Sequence, residues 1–175
     1  RMLEEARTQQ STEARLRDAI EAEEFELNYQ TVVDASTRLP CGVEALVRWR
    51  HPTEGLIGPE QFIPLAEKTD LIVPLGEWII QQACKDAATW PDHIKVAINI
   101  SAVQFSKANL FDVILCALVE TGLAPDRLEL EITEATLLKN QEANLTTIRQ
   151  LKNLGISMVL DDFGTGVSSV NYLSA

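Results

Sequence analysis

Glu44, Asn99, Glu131 and the doublet Asp161-Asp162 each sit at or next to the end of an expected strand. A core strand stays apolar to its end unless the end has work for a polar group. All five side chains offer oxygen, and oxygen-rich donor sets favour Mg²⁺ or Mn²⁺ over zinc. Asn99, Glu131 and Asp161 also recur at intervals of roughly thirty residues, the length of one βα unit. Such spacing predicts donors collected on the rim of a parallel sheet.

Each residue also has a plainer role open to it. In Val43-Glu44-Ala45-Leu46-Val47-Arg48-Trp49, alternation places Glu44, Leu46 and Arg48 on one face and Ala45, Val47 and Trp49 on the other. Glu44 and Arg48 could simply form an ion pair. Asn99 could cap a turn. Glu129 and Glu131 share a face, and two carboxylates there need a cation or protons. Asp161-Asp162 is the sharpest case. Neighbouring strand residues point to opposite faces, so both serve one site only where the chain turns, and Phe163-Gly164 supplies a turn. Neutralisation by two bridged ions would explain the doublet, as in two-metal phosphodiester hydrolysis. His51 and His93 lie near prolines and read as turn residues. Gly164-Thr165-Gly166 is not a dinucleotide fingerprint, because Ser169 replaces the third glycine.

The elements that must carry these residues are legible from periodicity. A charge-dense helix over 1–24 leads the chain. Strands are expected over 25–33 and 41–49, close enough for an antiparallel start. Helices follow over 61–68 and 75–90. Then strands over 95–100, 128–132 and 156–160 alternate with helices over 110–121 and 142–154. Alternation of this kind means βαβ units and a parallel sheet. The expected class is α/β, a TIM-like (β/α)8 barrel with an antiparallel first strand. Five strands against eight make the barrel incomplete, with a further helix opening near Ser168. A five-stranded doubly wound sheet is the alternative that needs nothing more.

Bulk properties narrow the function. Of the 175 residues, 46% are apolar and 23% charged, as in a globular protein, and the net charge is −11. That field repels DNA. A phosphate ligand remains compatible where metal ions supply positive charge. Cys41, Cys84 and Cys116 are odd in number and lack CxxC spacing, which fits reduced thiols in the cytosol.

Six ordered motifs carry a resemblance to the EAL-domain family of bacterial cyclic di-GMP phosphodiesterases. They are Glu44-Ala45-Leu46-Val47-Arg48-Trp49-Arg50-His51-Pro52, Phe62-Ile63-Pro64-Leu65-Ala66-Glu67, Leu71-Ile72-Val73-Pro74-Leu75-Gly76-Glu77-Trp78, Asn99-Ile100-Ser101, Glu131-Ile132-Thr133-Glu134 and Asp161-Asp162-Phe163-Gly164-Thr165-Gly166. The likeness covers residues 25–175, with 1–24 as a leading or linking helix. It implies a modified TIM barrel whose first strand is antiparallel. It further implies that Glu44, Asn99, Glu131 and Asp161 hold one Mg²⁺ or Mn²⁺, and that Asp161 and Asp162 reach a second. Glu44, Asp161 and Asp162 would then be catalytic. Arg48 would contact phosphate, Gln30 and Leu46 would line the nucleotide site, and Glu134 would order the loop after Asp162. The implied reaction is hydrolysis of cyclic di-GMP to linear pGpG by a cytoplasmic homodimer joined to an upstream sensory or GGDEF-type domain, in a parent that membrane anchoring would suit. A catalytically inactive cyclic di-GMP receptor or dimerisation module is the alternative. Thr31, Arg38 and Val167 depart from the family's usual residues. The resemblance places a catalytic lysine, a further glutamate and a glutamine beyond Ala175, so the 175-residue chain by itself is expected to be inactive.

Overall fold

The computed structural model describes residues 2–138 and 141–161. Asp162, the turn at 163–166, Val167 and the helix expected near Ser168 lie outside the described residues. A helix, α1 (Met2–Glu21), precedes the hairpin β1 (Phe25–Val33) and β2 (Pro40–His51), and β3 (Gly55–Ile57) folds back on the end of β2. Next come α2 (Pro59–Lys68), α3 (Ile72–Ala87), β4 (Lys95–Asn99), α4 (Ala102–Lys107) and α5 (Leu110–Thr121). A 3₁₀ turn (Pro125–Arg127) leads into β5 (Leu128–Thr133), followed by α6 (Glu134–Leu138), α7 (Gln141–Asn153) and β6 (Ser157–Asp161).

The sheet order is β1-β2-β4-β5-β6, with β3 pairing β2. β1 is antiparallel to β2, whereas β2, β4, β5 and β6 run parallel. The described strands and helices are those of a TIM-like barrel with an antiparallel first strand, present as an incomplete barrel.

One sheet face packs against helices. Ala45, Val47, Trp49, Val96, Ile98, Leu128, Leu130 and Ile132 are buried there beneath α2, α3 and α5 residues such as Phe62, Leu75, Ile80 and Ile114. Leu16 and Ala19 of α1 are fully buried in the same cluster. Burial of these strand side chains, about 1.5–3 kcal/mol for each valine, leucine or isoleucine, makes this face a large source of stability. The opposite face carries Gln30, Glu44, Leu46, Arg48, Asn99, Glu129 and Glu131, all half-buried or exposed. The alternation read in residues 43–49 is the alternation observed.

Several element bounds differ from expectation for local reasons. α3 begins at Ile72 and runs through Pro74, since a first-turn proline lacks only an N–H that would go unpaired. It ends at Ala87 and not Trp90, where the buried Arg127 guanidinium gathers the carbonyls of Ala87, Trp90, Pro91 and Ile94. β3, α4 and α6 were not anticipated: at three, six and five residues they are too short to set up a period.

Candidate functional site

The parallel strands deliver Asn99, Glu131 and Asp161 to one end of the sheet: Asn99 closes β4, Glu131 lies two residues before the end of β5, and Asp161 closes β6. Glu44, in contrast to the expectation, is not at a strand end: it lies mid-way along β2, which runs on to His51 and pairs there with β3. Register relates the four. Glu44 pairs with Ala97, Asn99 pairs with Glu131, Glu131 pairs with Val159, and Asp161 pairs with Thr133. From Glu44 to Asp161 the positions therefore climb four residues over three strand-to-strand steps. An eight-stranded barrel of shear 8 staggers its strands by about one residue per step. The climb nearly cancels that stagger and brings the four positions close to one height on a barrel rim.

Side-chain contacts agree where they are described. Asn99 Nδ2 donates to Glu44 Oε1 at 2.8 Å across the sheet. The donor nitrogen is thus engaged, and the amide oxygen, the atom of asparagine that binds cations, is left for another partner. Glu44 and Glu131 are half-buried. No basic side chain pairs with Glu44 among the described residues, so the ion pair open to Glu44 and Arg48 is not formed; Arg48 Nη1 instead donates to the Val47 carbonyl at 2.9 Å. Two carboxylates and one amide oxygen on one sheet face suit a hard cation, while no cluster of three His, Cys, Asp or Glu side chains occurs among the described residues. The side chains of Asp161 and Asp162 are not among those described.

One row lower, Glu129 pairs with Ala97 and Ser157. Burial raises its carboxyl above the ordinary carboxylate range, with the Lys95 charge working the other way. Burial thus favours the protonated form of Glu129. His51 behaves as the turn residue expected: its Nδ1 accepts from the N–H groups of Thr53 and Glu54 at 3.3 and 3.2 Å.

Glu44, Asn99 and Glu131 border a cavity of about 590 Å³ whose other walls include Leu46, Ile63, Pro64, Ile72, Ile79 and Ile100. That volume suits a small organic ligand with one apolar and one charged side. Gln30 lies opposite Glu44 on β1 and is exposed. Neither Gln30 nor Arg48 lines the cavity. Glu134 is the exposed first residue of α6. Sequence reasoning missed Gln104, which is buried and lines the cavity. Its signal was present as Ser101-x-x-Gln104, a capping-box spacing directly after the Asn99 strand.

The sequence pattern of the EAL domain matches residues 13–175. The chain is 46% identical over 162 residues to the bifunctional diguanylate cyclase/cyclic di-GMP phosphodiesterase MucR of Pseudomonas aeruginosa, covering 90% of this chain and 24% of MucR. It is 41% identical over 165 residues to the cyclic di-GMP phosphodiesterase NbdA of the same organism, covering 92% of this chain and 21% of NbdA. The chain thus spans between a fifth and a quarter of these relatives. The structure of the PaMucR phosphodiesterase in complex with c-di-GMP superposes with a TM-score of 0.80 at 46% identity, covering 88% of this chain and 64% of that one. By sequence pattern and by fold, the chain belongs to the EAL domain family.

Proposed function

We propose that the full-length protein hydrolyses cyclic di-GMP to linear pGpG, with this chain supplying one half of the site. The observation that carries the reading is the row Glu44, Asn99 and Glu131, bonded across the sheet at Glu44–Asn99, with Asp161 two residues beyond the Val159 that pairs with Glu131. The names of MucR and NbdA and the c-di-GMP complex of PaMucR support the substrate. In this reading Glu44, Asn99, Glu131 and Asp161 hold one Mg²⁺ or Mn²⁺, and Asp161 with Asp162 holds a second. When bound, such a pair of ions supplies positive charge to the phosphodiester and makes a water nucleophilic near neutral pH.

The chain's own groups bind and orient the substrate. Leu46 and the isoleucines of the cavity wall cover a base, Arg48 turns from the Val47 carbonyl to a phosphate oxygen, and Gln30 meets the nucleotide from β1. Water adds across one P–O3′ bond. The phosphate keeps the new oxygen and the 3′ oxygen leaves with a proton, giving pGpG. Glu134 orders the loop after Asp162. The assembly proposed is a cytoplasmic homodimer, with residues 1–24 linking to an upstream sensory or GGDEF-type domain. No described helix is long and apolar enough to cross a membrane.

The test is product analysis on the full-length protein with Mg²⁺ or Mn²⁺. Linear pGpG is expected, and Glu44→Ala should lower turnover at least a hundredfold while cyclic di-GMP still binds. Tight cyclic di-GMP binding that ignores metal, with no pGpG formed, would overturn catalysis in favour of a receptor.

A further inference from the structure

We propose that Gln104 is a positioning residue: seated over Gly76, it fixes the turn that follows β4 and thereby holds the Asn99 amide beside Glu44. The proposal rests on the metal-binding reading of that row. Asn99 is the last residue of its strand, and the next two backbone N–H groups are both pinned. Ile100 donates to the Glu131 carbonyl at 2.9 Å. Ser101 donates to Gln104 Oε1 at 3.0 Å, and Ser101 Oγ accepts from the Gln104 N–H at 3.3 Å. The first bond ties the Asn99 turn to the strand bearing Glu131, and the second pair ties it to α4.

The anchor of that second tie is Gln104, only 3% exposed. Its carboxamide lies against Gly76 inside α3. A Cβ at Gly76 would stand 2.6 Å from Gln104 Cδ and overlap Nε2. Glycine weakens a helix interior, and the backbone at Gly76 is not left-handed. Room for the Gln104 carboxamide is the physical reason for glycine there. A flexible side-chain end would ordinarily move aside, but this one moves only by giving up the Oε1 bond to Ser101. The Asn99 side chain is exposed and its described contact is the bond to Glu44, so keeping that bond depends on where the backbone of this turn places Asn99. A metal site whose ligand is held by such outer partners loses affinity when they are removed.

The experiment measures Mg²⁺ and Mn²⁺ affinity of the full-length protein by calorimetry, alongside cyclic di-GMP kinetics across metal concentration. Gln104→Met keeps the volume and removes the acceptor. Gly76→Ala displaces the carboxamide. Each should weaken metal binding about tenfold and raise the half-saturating metal concentration equally. In the double variant Gly76→Ala/Gln104→Ala no carboxamide remains to be displaced, so its affinity should match Gln104→Ala alone. Ser101→Ala removes one bond of the pair and should weaken metal binding at least threefold; it decides the matter if Gln104→Met does not fold. Variants that lose thermal stability yet bind metal within twofold of wild type would reduce Gln104 to a helix cap and overturn the proposal. Wild-type protein that binds no divalent metal would overturn the metal reading itself, and this proposal with it.

Discussion

Asn99 and Glu44 sit 2.8 Å apart as donor and acceptor, and that short bond makes the pair sensitive to one atom. Asn99→Asp replaces the donating nitrogen with an oxygen and sets two carboxylates against each other. Their repulsion raises the folded-state pKa of the pair above the unfolded value. For an acid, that shift leaves stability intact below the unfolded pKa near 4 and removes it as pH rises. After screening at this exposed position, the expected loss near pH 7 is about 1 kcal/mol, or roughly 2–4 °C in Tm. The deficit should vanish near pH 4 and shrink in saturating Mg²⁺, which neutralises both groups. A Tm deficit that metal leaves unchanged would show that the two residues do not share a cation. Asn99 was legible because an amide at a strand end has no packing reason to be there, whereas Glu44, mid-way along β2, stood out as a charge on a face shared with Leu46. Gln104 was legible only as the third residue of a capping box after Ser101; its burial against Gly76 is a tertiary contact that the spacing does not disclose.

Elements were legible wherever length let a period emerge. β2, β4, β5 and α5 stand close to where alternation and Gly122 placed them. What the sequence could not disclose is why α3 stops early, because the cause lies forty residues away. Arg127 is 7% exposed, and its guanidinium donates to the carbonyls of Ala87, Trp90, Pro91 and Ile94 at 2.8–3.4 Å. It closes the C-terminal end of α3 and fixes the loop that launches β4, hence the height of Asn99. Its nearest carboxylate, Asp92 at 3.7 Å, is fully exposed, so the carbonyl fan and not the ion pair carries the interaction. Arg127→Ala leaves those carbonyls buried without their donor and should cost about 3 kcal/mol, roughly 6–12 °C in Tm. Arg127→Lys should recover only a minor part, because one ammonium cannot span the fan. Full recovery with lysine, read by thermal denaturation, would show that charge alone matters there.

At the scale of the whole molecule, alternation of strands and helices was enough to predict a parallel sheet, but not the stagger that levels its candidate site positions. Register is a tertiary property: the four-residue climb from Glu44 to Asp161 appears only once strands are paired. It means that the face opposite the helices gathers Glu26, Glu44, Glu129 and Glu131 within a chain of net charge −11. Glu26 is ion-paired with Arg50, and a cation bound beside the remaining carboxylates would act on folding as well as on substrate. A divalent ion that binds the folded state alone should therefore stabilise the full-length protein by about 2.7 kcal/mol at a hundredfold excess over Kd, roughly 5–10 °C in Tm. Sodium chloride at the same ionic strength screens the general repulsion without coordinating, so its effect should be far smaller. Ca²⁺ should stabilise comparably yet support little turnover, because its longer and looser coordination misplaces the attacking water. The two measurements together discriminate among the outcomes. Equal stabilisation by sodium chloride and Mg²⁺ would mean screening of a charged face, with no site. Stabilisation by Mg²⁺ that Glu44→Ala leaves intact would put the ion elsewhere. Stabilisation lost in Glu44→Ala and reduced in Asn99→Asp would place it on the rim row that β2, β4 and β5 bring together.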